Sequence, residues 1–320
     1  MSRLILGIDG GGTKTDCILF NEQGKTIDIL QAGGSNLYVF KEKAVATIID
    51  LIDNILEKNK LGYDDVDAYG IGVAGISDVF QRELLIKELD KKSISKDTLV
   101  LSDIEVAYNI LCPNGVGVLV NIGTGIICFS RNGDKTYRTA GQGHDKGDIG
   151  SGYWLGKELF SRLILNEAII EFDKDLLEIH TLVLDCFKKN NLDSIYKELD
   201  EEKNIFEQLS KLGKETINIA ENGNDIALSI IQEGTRYVSE YIIDIVELSN
   251  YTSSDLVVAI NGSVIKNKFY RKLLNESLSF NFQNIKWITT NLSPAYGAGI
   301  LAANYKKIDI DSSKIILNVN

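Results

Sequence analysis

The chain has 320 residues, of which 44% are hydrophobic and 25% are charged, and its formal net charge is −11. A chain of that length is expected to fold as two domains with separate cores, and its acidic balance argues against nucleic acid or an anionic membrane as a partner, because both bind basic surfaces. The sequence shows no apolar run of the ~20 residues that a membrane span needs and no signal-peptide pattern. Its four cysteines are scattered without a CxxC motif, so we expect a cytoplasmic protein without a zinc or disulfide framework.

The first third of the chain alternates predicted strands with predicted helices. The strands span residues 3–8, 16–20, 26–31, 66–73 and 98–101, and the helices span residues 41–60, 79–91 and 103–111. The longest helix is predicted from apolar residues that recur at every third or fourth position. Pro113 and Gly115 end the last of these helices. We therefore place a domain boundary there, between an N-terminal lobe, residues 1–116, and a C-terminal lobe, residues 117–292.

The remainder of the chain repeats strands and then becomes mostly helical. The strand pattern restarts at Gly117 and continues to about residue 140, and residues 152–250 are predicted to be largely helix. The last predicted elements are a strand over 256–260, a helix from about 267, a strand over 287–289 and a helix from about 293. Pro294 suits the first turn of that last helix.

Two segments share the order strand, Gly/Thr turn, strand. They are residues 4–20, with the turn Gly10–Thr13, and residues 118–129, with the turn Gly123–Gly125. Glycine lets backbone amides approach an anion closely, and threonine adds a hydroxyl donor. The repeat predicts two related lobes that face a shared cleft and clamp a polyphosphate, which we take to be ATP. The residues expected to face the triphosphate are Gly11, Gly12, Thr13, Gly123, Thr124 and Gly125.

Only the first of the two turns carries a carboxylate, at Asp9. Hard cations prefer oxygen ligands, and Mg²⁺ in particular keeps much of its hydration shell in protein sites. Asp9 is therefore expected to hold Mg²⁺ through water. The predicted cofactors are ATP and Mg²⁺.

Two other nucleotide-binding motifs fit the sequence less well. The first turn superficially resembles a Walker loop, but its glycine spacing is wrong, and a strand is predicted where a Walker loop opens a helix. A GxGxxG pattern occurs at Gly70–Gly75. It does not lie in the first strand, and no acidic residue follows about 20 residues later at a strand end. Close packing is the expected reason for those glycines.

These motifs resemble the actin-like ATPase superfamily of sugar kinases, and more closely the N-acetylglucosamine kinase branch of the BadF/BadG/BcrA/BcrD ATPase family. The resemblance covers nearly the whole chain. Asp9–Thr15, with Lys14 within it, is similar to the first phosphate loop, and Gly123–Gly125 is similar to the second. Gly262 and Ser263 resemble the adenosine motif. The most specific segment, residues 143–154, is similar to the family's GH-x-x-GD-x-GS-x-YW pattern.

The resemblance implies an α/β fold with two actin-like ATPase lobes, of the ribonuclease H-like kind. Each lobe would have a duplicated mixed β-sheet flanked by helices, with a cleft between the lobes. A C-terminal helix over residues 293–320 would return to the N-terminal lobe, which carries the first phosphate loop and part of the sugar site. The C-terminal lobe would carry the second phosphate loop and the adenosine site. A homodimer is compatible with this branch, in which dimers are frequent.

Asp103 is the candidate general base. It follows the buried strand Leu99–Leu101 and begins a helix, and functional carboxylates are common at such strand ends. From the residues alone, a helix N-cap is the simpler interpretation, since Ser102 and Asp103 both suit that position. The corresponding Ser/Thr-Asp pair of similar sugar kinases favours the base. It needs no unusual pKa, because the loose transition state leaves proton transfer late.

Four further residues are expected to contact the sugar. Asn36 resembles the substrate-binding asparagine of this branch, and its amide can both donate and accept hydrogen bonds, although a turn residue is an equal alternative without the resemblance. Asp148 would accept from sugar hydroxyls. Gly143 and His144 belong to the same segment, and a structural hydrogen bond explains His144 at least as well. The family's mammalian members carry Trp where this chain has Gln142, so the acetamido pocket is expected to differ.

The resemblance implies ATP-dependent phosphorylation of an N-acetylhexosamine at its 6-hydroxyl, with N-acetylglucosamine or N-acetylmuramic acid as the small-molecule partner and glucosamine as an alternative. A second hypothesis is an ATPase activator of a 2-hydroxyacyl-CoA dehydratase or benzoyl-CoA reductase-type system. Such activators carry a cluster-ligating cysteine in a CGGQD-like segment, and residues 140–145 contain none. A third hypothesis, a sensor without catalysis, is disfavoured because Asp9 and Asp103 are both present.

Overall fold

The computed structural model describes residues 2–113, 115–141, 143, 148–200, 205–251, 255–310 and 316–318. Its contacts divide the chain into two units, Met1–Asn114 with Thr289–Leu317 and Gly115–Ile288 with Asn318–Asn320. None of the helices in the described residues is both long and apolar enough to cross a membrane.

The elements of the first unit follow the predicted order. They are β1 (Leu4–Gly10), β2 (Lys14–Asn21), β3 (Thr26–Gly33), α1 (Leu37–Phe40), α2 (Glu42–Lys58), β4 (Ala68–Val73), α3 (Val79–Lys91), β5 (Thr98–Leu101) and α4 (Asp103–Leu111), with 3-10 turns at Tyr63–Asp65 and Ser95–Asp97. The sheet has the strand order β3-β2-β1-β4-β5. β1, β2 and β3 form an antiparallel meander, and β4 and β5 continue from β1 in parallel.

The second unit repeats this sheet and adds a helical layer. Its elements are β6 (Val118–Ile122), β7 (Ile126–Asn132), β8 (Lys135–Thr139), α5 (Gly152–Leu165), α6 (Lys174–Phe187), α7 (Leu192–Asp200), α8 (Ile205–Glu221), α9 (Asp225–Leu248), β9 (Asp255–Asn261), α10 (Lys268–Leu278) and β10 (Asn284–Thr290), with a 3-10 turn at Glu167–Phe172. The chain then continues through α11 (Pro294–Tyr305) and β11 (Ile316–Asn318). The sheet has the order β11-β10-β9-β6-β7-β8, with β6 antiparallel to β7 and parallel to β9.

The sheet of the first unit is covered on both faces, as the period of two along a strand requires. Leu6 and Ile8 of β1 are fully buried in a cluster with α2 and α3. Their neighbour Ile5 points to the opposite face and is buried in a second cluster with α11. That helix approaches the sheet closely because Gly7 of β1 has no side chain: a Cβ there would overlap the Ala295 carbonyl.

The glycines of the Gly70–Gly75 pattern serve packing. A Cβ on Gly70 would overlap the Ala298 carbonyl of α11, and a Cβ on Gly72 would lie 2.8 Å from a methyl carbon of Val106 in α4. Helices therefore lie directly on β4 at these positions. The packing interpretation of the pattern is confirmed.

The last helix is shorter than the sequence predicts. Residues 293–320 are expected to be helical, but α11 ends at Tyr305. Lys307 adopts a left-handed conformation with φ of 59°, and the Ile308 amide donates to the Ala303 carbonyl at 2.8 Å, a pattern that closes a helix C-terminus. The prediction of one continuous helix is wrong, and β11 follows as an edge strand instead. The helix ends at a lysine in the left-handed region, and not at a glycine or proline, so the sequence gives no signal for this C-terminus.

Candidate functional site

The turn between β1 and β2 is the predicted first phosphate loop. Gly10 pairs with Thr15 at the end of the hairpin, and the Gly11 amide donates to the Lys14 carbonyl at 3.0 Å, which closes the turn. Gly12 has open space where a Cβ would project, with no heavy atom within 4 Å. An anion can therefore approach the backbone of Gly12 closely, as an oxyanion cradle requires.

Thr13 and Lys14 are both exposed in this turn, but the lysine has a partner. Its ammonium lies 2.6 Å from one carboxylate oxygen of Asp16, and the Gln31 amide donates to the other oxygen at 2.6 Å. The Asp16 contact raises the pKa of Lys14. A phosphate that binds Lys14 has to compete with Asp16. Sequence reasoning missed this pair, although residues two apart on a strand share a face.

Asp9, at the end of β1, is half-buried and lies near two other carboxylates. The pKa of Asp9 is raised from 3.8 to about 6, first by burial and then by the nearby carboxylates of Asp103 and Asp16, against a smaller opposing effect of Lys14. A cation beside Asp9 would offset both the cost of burying the charged carboxylate and its repulsion by the neighbouring carboxylates. The part of the chain that the structure describes contains no group of three or more acidic, His or Cys side chains that could hold a metal ion. If Asp9 held a Mg²⁺ ion, the other ligands of that ion would be water and phosphate oxygens.

Asp103 is the first residue of α4, and the N-cap is Ser102. The Ser102 hydroxyl accepts from the Glu105 amide at 3.2 Å, and the Glu105 carboxylate accepts from the Ser102 amide at 3.1 Å, which is a capping box. The Ser-x-x-Glu spacing is a sequence signal for that cap. Since Ser102 takes the capping role, the Asp103 carboxylate is not needed for it. Asp103 is also close enough to Asp9 to raise its pKa, so the two candidate functional carboxylates share one acidic patch.

Asn36 begins α1 and lies in the loop that leaves β3. Its side-chain oxygen accepts from the amides of Tyr38 at 3.0 Å and Val39 at 3.2 Å. Gly75, with φ of +79°, lies against this oxygen, and a Cβ there would come within 2.5 Å of it. The cap uses only the oxygen of the amide. The oxygen of Asn36 therefore holds the helix, and the nitrogen, a donor, is the part of the amide that the cap does not use.

The turn between β6 and β7 is the predicted second phosphate loop, and the N-terminus of α5 holds it. Ile122 pairs with Ile126, which leaves Gly123–Gly125 as the turn. The Gly123 carbonyl accepts from the Gly152 amide at 2.8 Å, and the Thr124 carbonyl accepts from the next amide of α5, that of Tyr153, at 3.1 Å. No heavy atom lies within 4 Å of the Cβ position of Gly123. This turn, like the first, offers a glycine face that an anion can reach.

Asp148 lies beside this second turn and is 6% exposed. Its carboxylate is so close to Gly125 that a Cβ there would come within 2.9 Å of it. The Asp148 carbonyl accepts from the amide of Ser151, which caps α5 through its hydroxyl. Gly143 is exposed, with φ of +94° and open space around it. His144 and Gln142 lie outside the described residues.

Gly262 and Ser263, the predicted adenosine motif, follow β9 next to the second turn. Gly262 has φ of +91°, and a Cβ there would overlap the Ile122 carbonyl. The Val264 amide donates to the same carbonyl at 3.0 Å. Ser263 is exposed. The structure therefore brings the motif to the strand end that carries the second turn, and glycine is required because the two backbones touch.

Comparison with known proteins gives a consistent result. The model of the BadF/BadG/BcrA/BcrD ATPase family matches residues 6–302. The N-acetylmuramic acid/N-acetylglucosamine kinase of Clostridium acetobutylicum is 25% identical over 309 residues, covering 94% of this chain and 98% of that protein. The N-acetyl-D-glucosamine kinase of Dictyostelium discoideum is 26% identical over 325 residues, covering 95% and 99%. A solved structure from Chromobacterium violaceum, described as a candidate N-acetylglucosamine kinase, superposes with a TM-score of 0.70 at 18% identity, covering 94% and 99%.

Proposed function

Because the chain belongs to the BadF/BadG/BcrA/BcrD ATPase family, we propose that it is an ATP-dependent sugar kinase whose substrate is N-acetylglucosamine, N-acetylmuramic acid or both. The names of the two curated relatives, which match nearly the whole chain, support this substrate class. The observation that carries the proposal is the acidic patch of Asp9 and Asp103 in the unit that also holds the open Gly12 turn. A kinase needs an anion cradle, a cation site and a proton acceptor together.

Asp103 is the general base in this proposal, acting on the 6-hydroxyl of the sugar. Its place at the first position of α4 puts the carboxylate at the N-terminal end of the helix, after the strand β5. Ser102 and Glu105 fix the start of that helix. Asp103 accepts the hydroxyl proton as the hydroxyl oxygen bonds to the γ-phosphorus of ATP, and ADP leaves with the bridging oxygen. Mg²⁺ near Asp9 would supply the charge neutralisation that this transfer requires.

Residues proposed to bind the nucleotide are found in both units. The first unit supplies Gly11, Gly12, Thr13 and Lys14 together with Asp9, and the second unit supplies Gly123, Thr124 and Gly125 together with the adenosine motif, Gly262 and Ser263. Sugar contacts come from Asn36, which donates through its nitrogen, and from Asp148, which accepts from hydroxyls. Gly143 and His144 are the other residues proposed to contact the sugar.

The test is a coupled ADP-release assay with ATP and Mg²⁺. The acceptors are N-acetylglucosamine, N-acetylmuramic acid, N-acetylmannosamine, glucosamine and glucose, and the product is analysed for the position of the phosphate. The Asp103→Asn variant is expected to lose about 10²- to 10⁴-fold in kcat, the usual contribution of a general base. Asp64→Asn, which changes an exposed carboxylate of the same unit, is the matched control and should retain full activity.

Sugar-dependent ADP release that the Asp103→Asn variant loses would support the proposal. ADP release that no sugar increases would contradict it and favour the ATPase-activator hypothesis. A protein that binds ATP but releases no ADP with any of the five sugars would also contradict it.

A further inference from the structure

A pair of buried hydroxyl groups links the first glycine turn to the loop that carries Asn36. Thr15 lies in β2 directly after the turn, and Ser35 lies in the loop, and both are fully buried. Their hydroxyl oxygens are 2.7 Å apart, and the Thr15 hydroxyl is also 2.7 Å from the Gly33 carbonyl. A hydroxyl has one proton and a carbonyl can only accept. Thr15 therefore donates to Gly33 and accepts from Ser35, so neither hydroxyl can be removed without loss of a buried hydrogen bond.

The backbone of the loop is attached to the same turn. The Gly11 carbonyl accepts from the amides of Ser35 at 2.9 Å and Asn36 at 3.0 Å. Gly34 lies against the turn so closely that a Cβ there would overlap the Gly12 carbonyl. The loop thus contacts the peptide units that flank Gly12, the glycine with the open face. A shift of the turn would have to break these contacts or carry the loop with it.

The Asn36 side chain is fixed to this loop through the helix that it caps. Its oxygen accepts from the first amides of α1, and the Leu37 amide donates to the Ala74 carbonyl at the end of β4 at 2.9 Å. Ala74 in turn donates to the Gly10 carbonyl at 2.8 Å. The ends of β1, β3 and β4 are therefore joined in one hydrogen-bonded cluster. The cluster includes both the predicted phosphate turn and the loop that carries Asn36.

We propose that Thr15 and Ser35 are positioning residues that couple nucleotide binding to sugar binding within this unit. The proposal rests on the function proposed above and adds a linkage between its two ligands. Phosphates at the turn restrain Gly11 and Gly12. That restraint passes to the Asn36 loop through the Gly11 carbonyl and the two hydroxyls. A sugar that binds Asn36 then meets a loop that is already ordered, and by thermodynamic reciprocity the sugar strengthens nucleotide binding by the same factor.

A purely structural role for the hydroxyl pair predicts something different. Loss of a buried hydrogen bond lowers stability wherever it occurs, but it changes the two binding constants independently. The quantity that separates the two roles is the coupling factor, which is the ratio of the sugar Kd without nucleotide to the sugar Kd with nucleotide. Typical coupling factors between two sites are about 5- to 150-fold.

The experiment measures N-acetylglucosamine binding by calorimetry with and without Mg²⁺ and a non-hydrolysable ATP analogue. The native protein is expected to show a coupling factor of about fivefold or more. Thr15→Val keeps the shape and the β-branch of the side chain but removes its hydroxyl, and it should reduce the factor to less than about twofold. Thr15→Ser keeps the hydroxyl and should retain most of the coupling. Ser35→Ala removes the donor but leaves the Thr15–Gly33 bond, so it should give an intermediate factor.

Thr216→Val is the matched control. Thr216 is also fully buried, and its hydroxyl donates to the Leu212 carbonyl at 2.9 Å within α8 of the second unit. Its loss should lower stability and leave the coupling factor unchanged. Thermal unfolding of each variant shows whether it folds, and if Thr15→Val does not fold, Ser35→Ala measured against Thr15→Ser decides the question.

Two results would overturn the inference alone. One is a native protein that binds both ligands with a coupling factor near one. The other is a factor that stays at its native value in both Thr15→Val and Ser35→Ala. A native protein that binds none of the sugars would overturn the proposed function, and the inference with it.

Discussion

The two glycine hairpins lie in sheets of the same topology, yet they differ in charge. Reading from the antiparallel edge, β3-β2-β1-β4-β5 in the first unit corresponds to β8-β7-β6-β9-β10 in the second. In the first hairpin, the pair Asp9–Asp16 comes directly before the pair that closes the turn. In the second hairpin, the pair Asn121–Ile127 has the same place. Asn121 therefore occupies the position that corresponds to Asp9. The first hairpin carries a carboxylate on its own strand, whereas the corresponding strand position of the second hairpin carries a neutral amide.

The two turns are also held in place by different partners. The first is attached to a loop, through the Gly11 carbonyl and the buried hydroxyls of Thr15 and Ser35. The second is attached to a helix N-terminus, since the first amides of α5, from Gly152 and Tyr153, donate to its carbonyls. A duplicated sheet thus supports one turn coupled to a proposed sugar-binding loop and one turn fixed to a rigid helix. The following predictions test whether charge and attachment account for separate roles of the hairpins.

The largest effect on activity is expected when Asp9 is replaced by asparagine, the residue at the corresponding position of the second hairpin. Asp9→Asn leaves the shape of the side chain but removes the carboxylate that would hold Mg²⁺. Loss of one preorganised electrostatic contribution at a reacting group lowers kcat on the order of 10²-fold or more. Steady-state kinetics with saturating ATP and sugar measure this. An Asp9→Asn enzyme with near-native kcat would mean that the difference in charge between the hairpins has no catalytic role.

The same substitution should stabilise the protein in a pH-dependent way. Because the pKa of Asp9 is raised from 3.8 to about 6, the folded state binds this proton more tightly than the unfolded state. The favourable contribution is present below pH 3.8 and is lost as the pH rises through 6. In EDTA and without nucleotide, Asp9→Asn should therefore increase the free energy of unfolding by about 1–3 kcal/mol at pH 7.5 and by little at pH 4. Urea unfolding at the two pH values measures this, and an equal effect at both would contradict it.

Glycine substitutions separate the anion-binding role of the first turn from its packing. Gly12→Ala adds a methyl to open space, so we expect a change in stability within about 0.5 kcal/mol and a nucleotide affinity that is lower by roughly tenfold, about 1.4 kcal/mol. Gly10→Ala is the contrast, because its methyl would overlap the Ser35 hydroxyl and crowd Val73; overpacking of this kind costs about 1–3 kcal/mol of stability. Thermal unfolding and nucleotide titration measure both. Equal losses of stability in the two variants would show that Gly12 is also there for packing.

The second hairpin can be made like the first with Asn121→Asp. A new carboxylate there has no cation to neutralise it and would repel the phosphates proposed to bind at Gly123–Gly125. We expect the KM for ATP to rise roughly tenfold, which corresponds to about 1.4 kcal/mol, and the rise to shrink at high salt. Asn281→Asp, at an exposed position of the same unit, adds the same charge and should leave the KM unchanged. A lower KM in Asn121→Asp would mean that the second hairpin attracts a cation instead.

Much of the fold was predictable because periodicity and turn residues act locally. Except for the short helix α1 and the end of α11, the strands and helices before β11 lie close to the predicted ranges, and the predicted α/β fold and family are confirmed. The terminal helix was overextended because its stop is a backbone cap at Lys307, which leaves no mark in the sequence. The Gly70–Gly75 pattern was correctly attributed to packing. Close helix–strand contact and nucleotide binding both require glycine, so the position of the pattern in the chain was the only evidence that distinguished them.

The candidate site residues were chosen from the sequence, but most of their hydrogen-bond partners could not be predicted from it. The roles given to Asp103, Asn36 and Asp148 stay predictions. Ser102 caps α4 in place of Asp103, and the Ser-x-x-Glu spacing is the sequence signal that distinguishes the two residues. The sequence could not show the bond between Thr15 and Ser35, since that contact joins a strand to a loop about 20 residues away. Such long-range polar contacts depend on the folded sheet.

The smallest effect is expected at Lys14, where the structure provides a competitor for the phosphate. Its ammonium is exposed and paired with Asp16, so Lys14→Ala should change stability by less than about 1 kcal/mol. If the lysine also reaches the nucleotide, the KM for ATP rises by roughly two- to fivefold in Lys14→Ala, by an amount that salt reduces, and falls in Asp16→Asn, which releases the ammonium. Lys91→Ala, which removes an equally exposed lysine paired with Glu88, should change neither quantity. An unaltered KM in both Lys14→Ala and Asp16→Asn would mean that the Lys14–Asp16 pair is a surface ion pair without a role in nucleotide binding. Anion binding at the first turn would then depend on its backbone amides and Thr13.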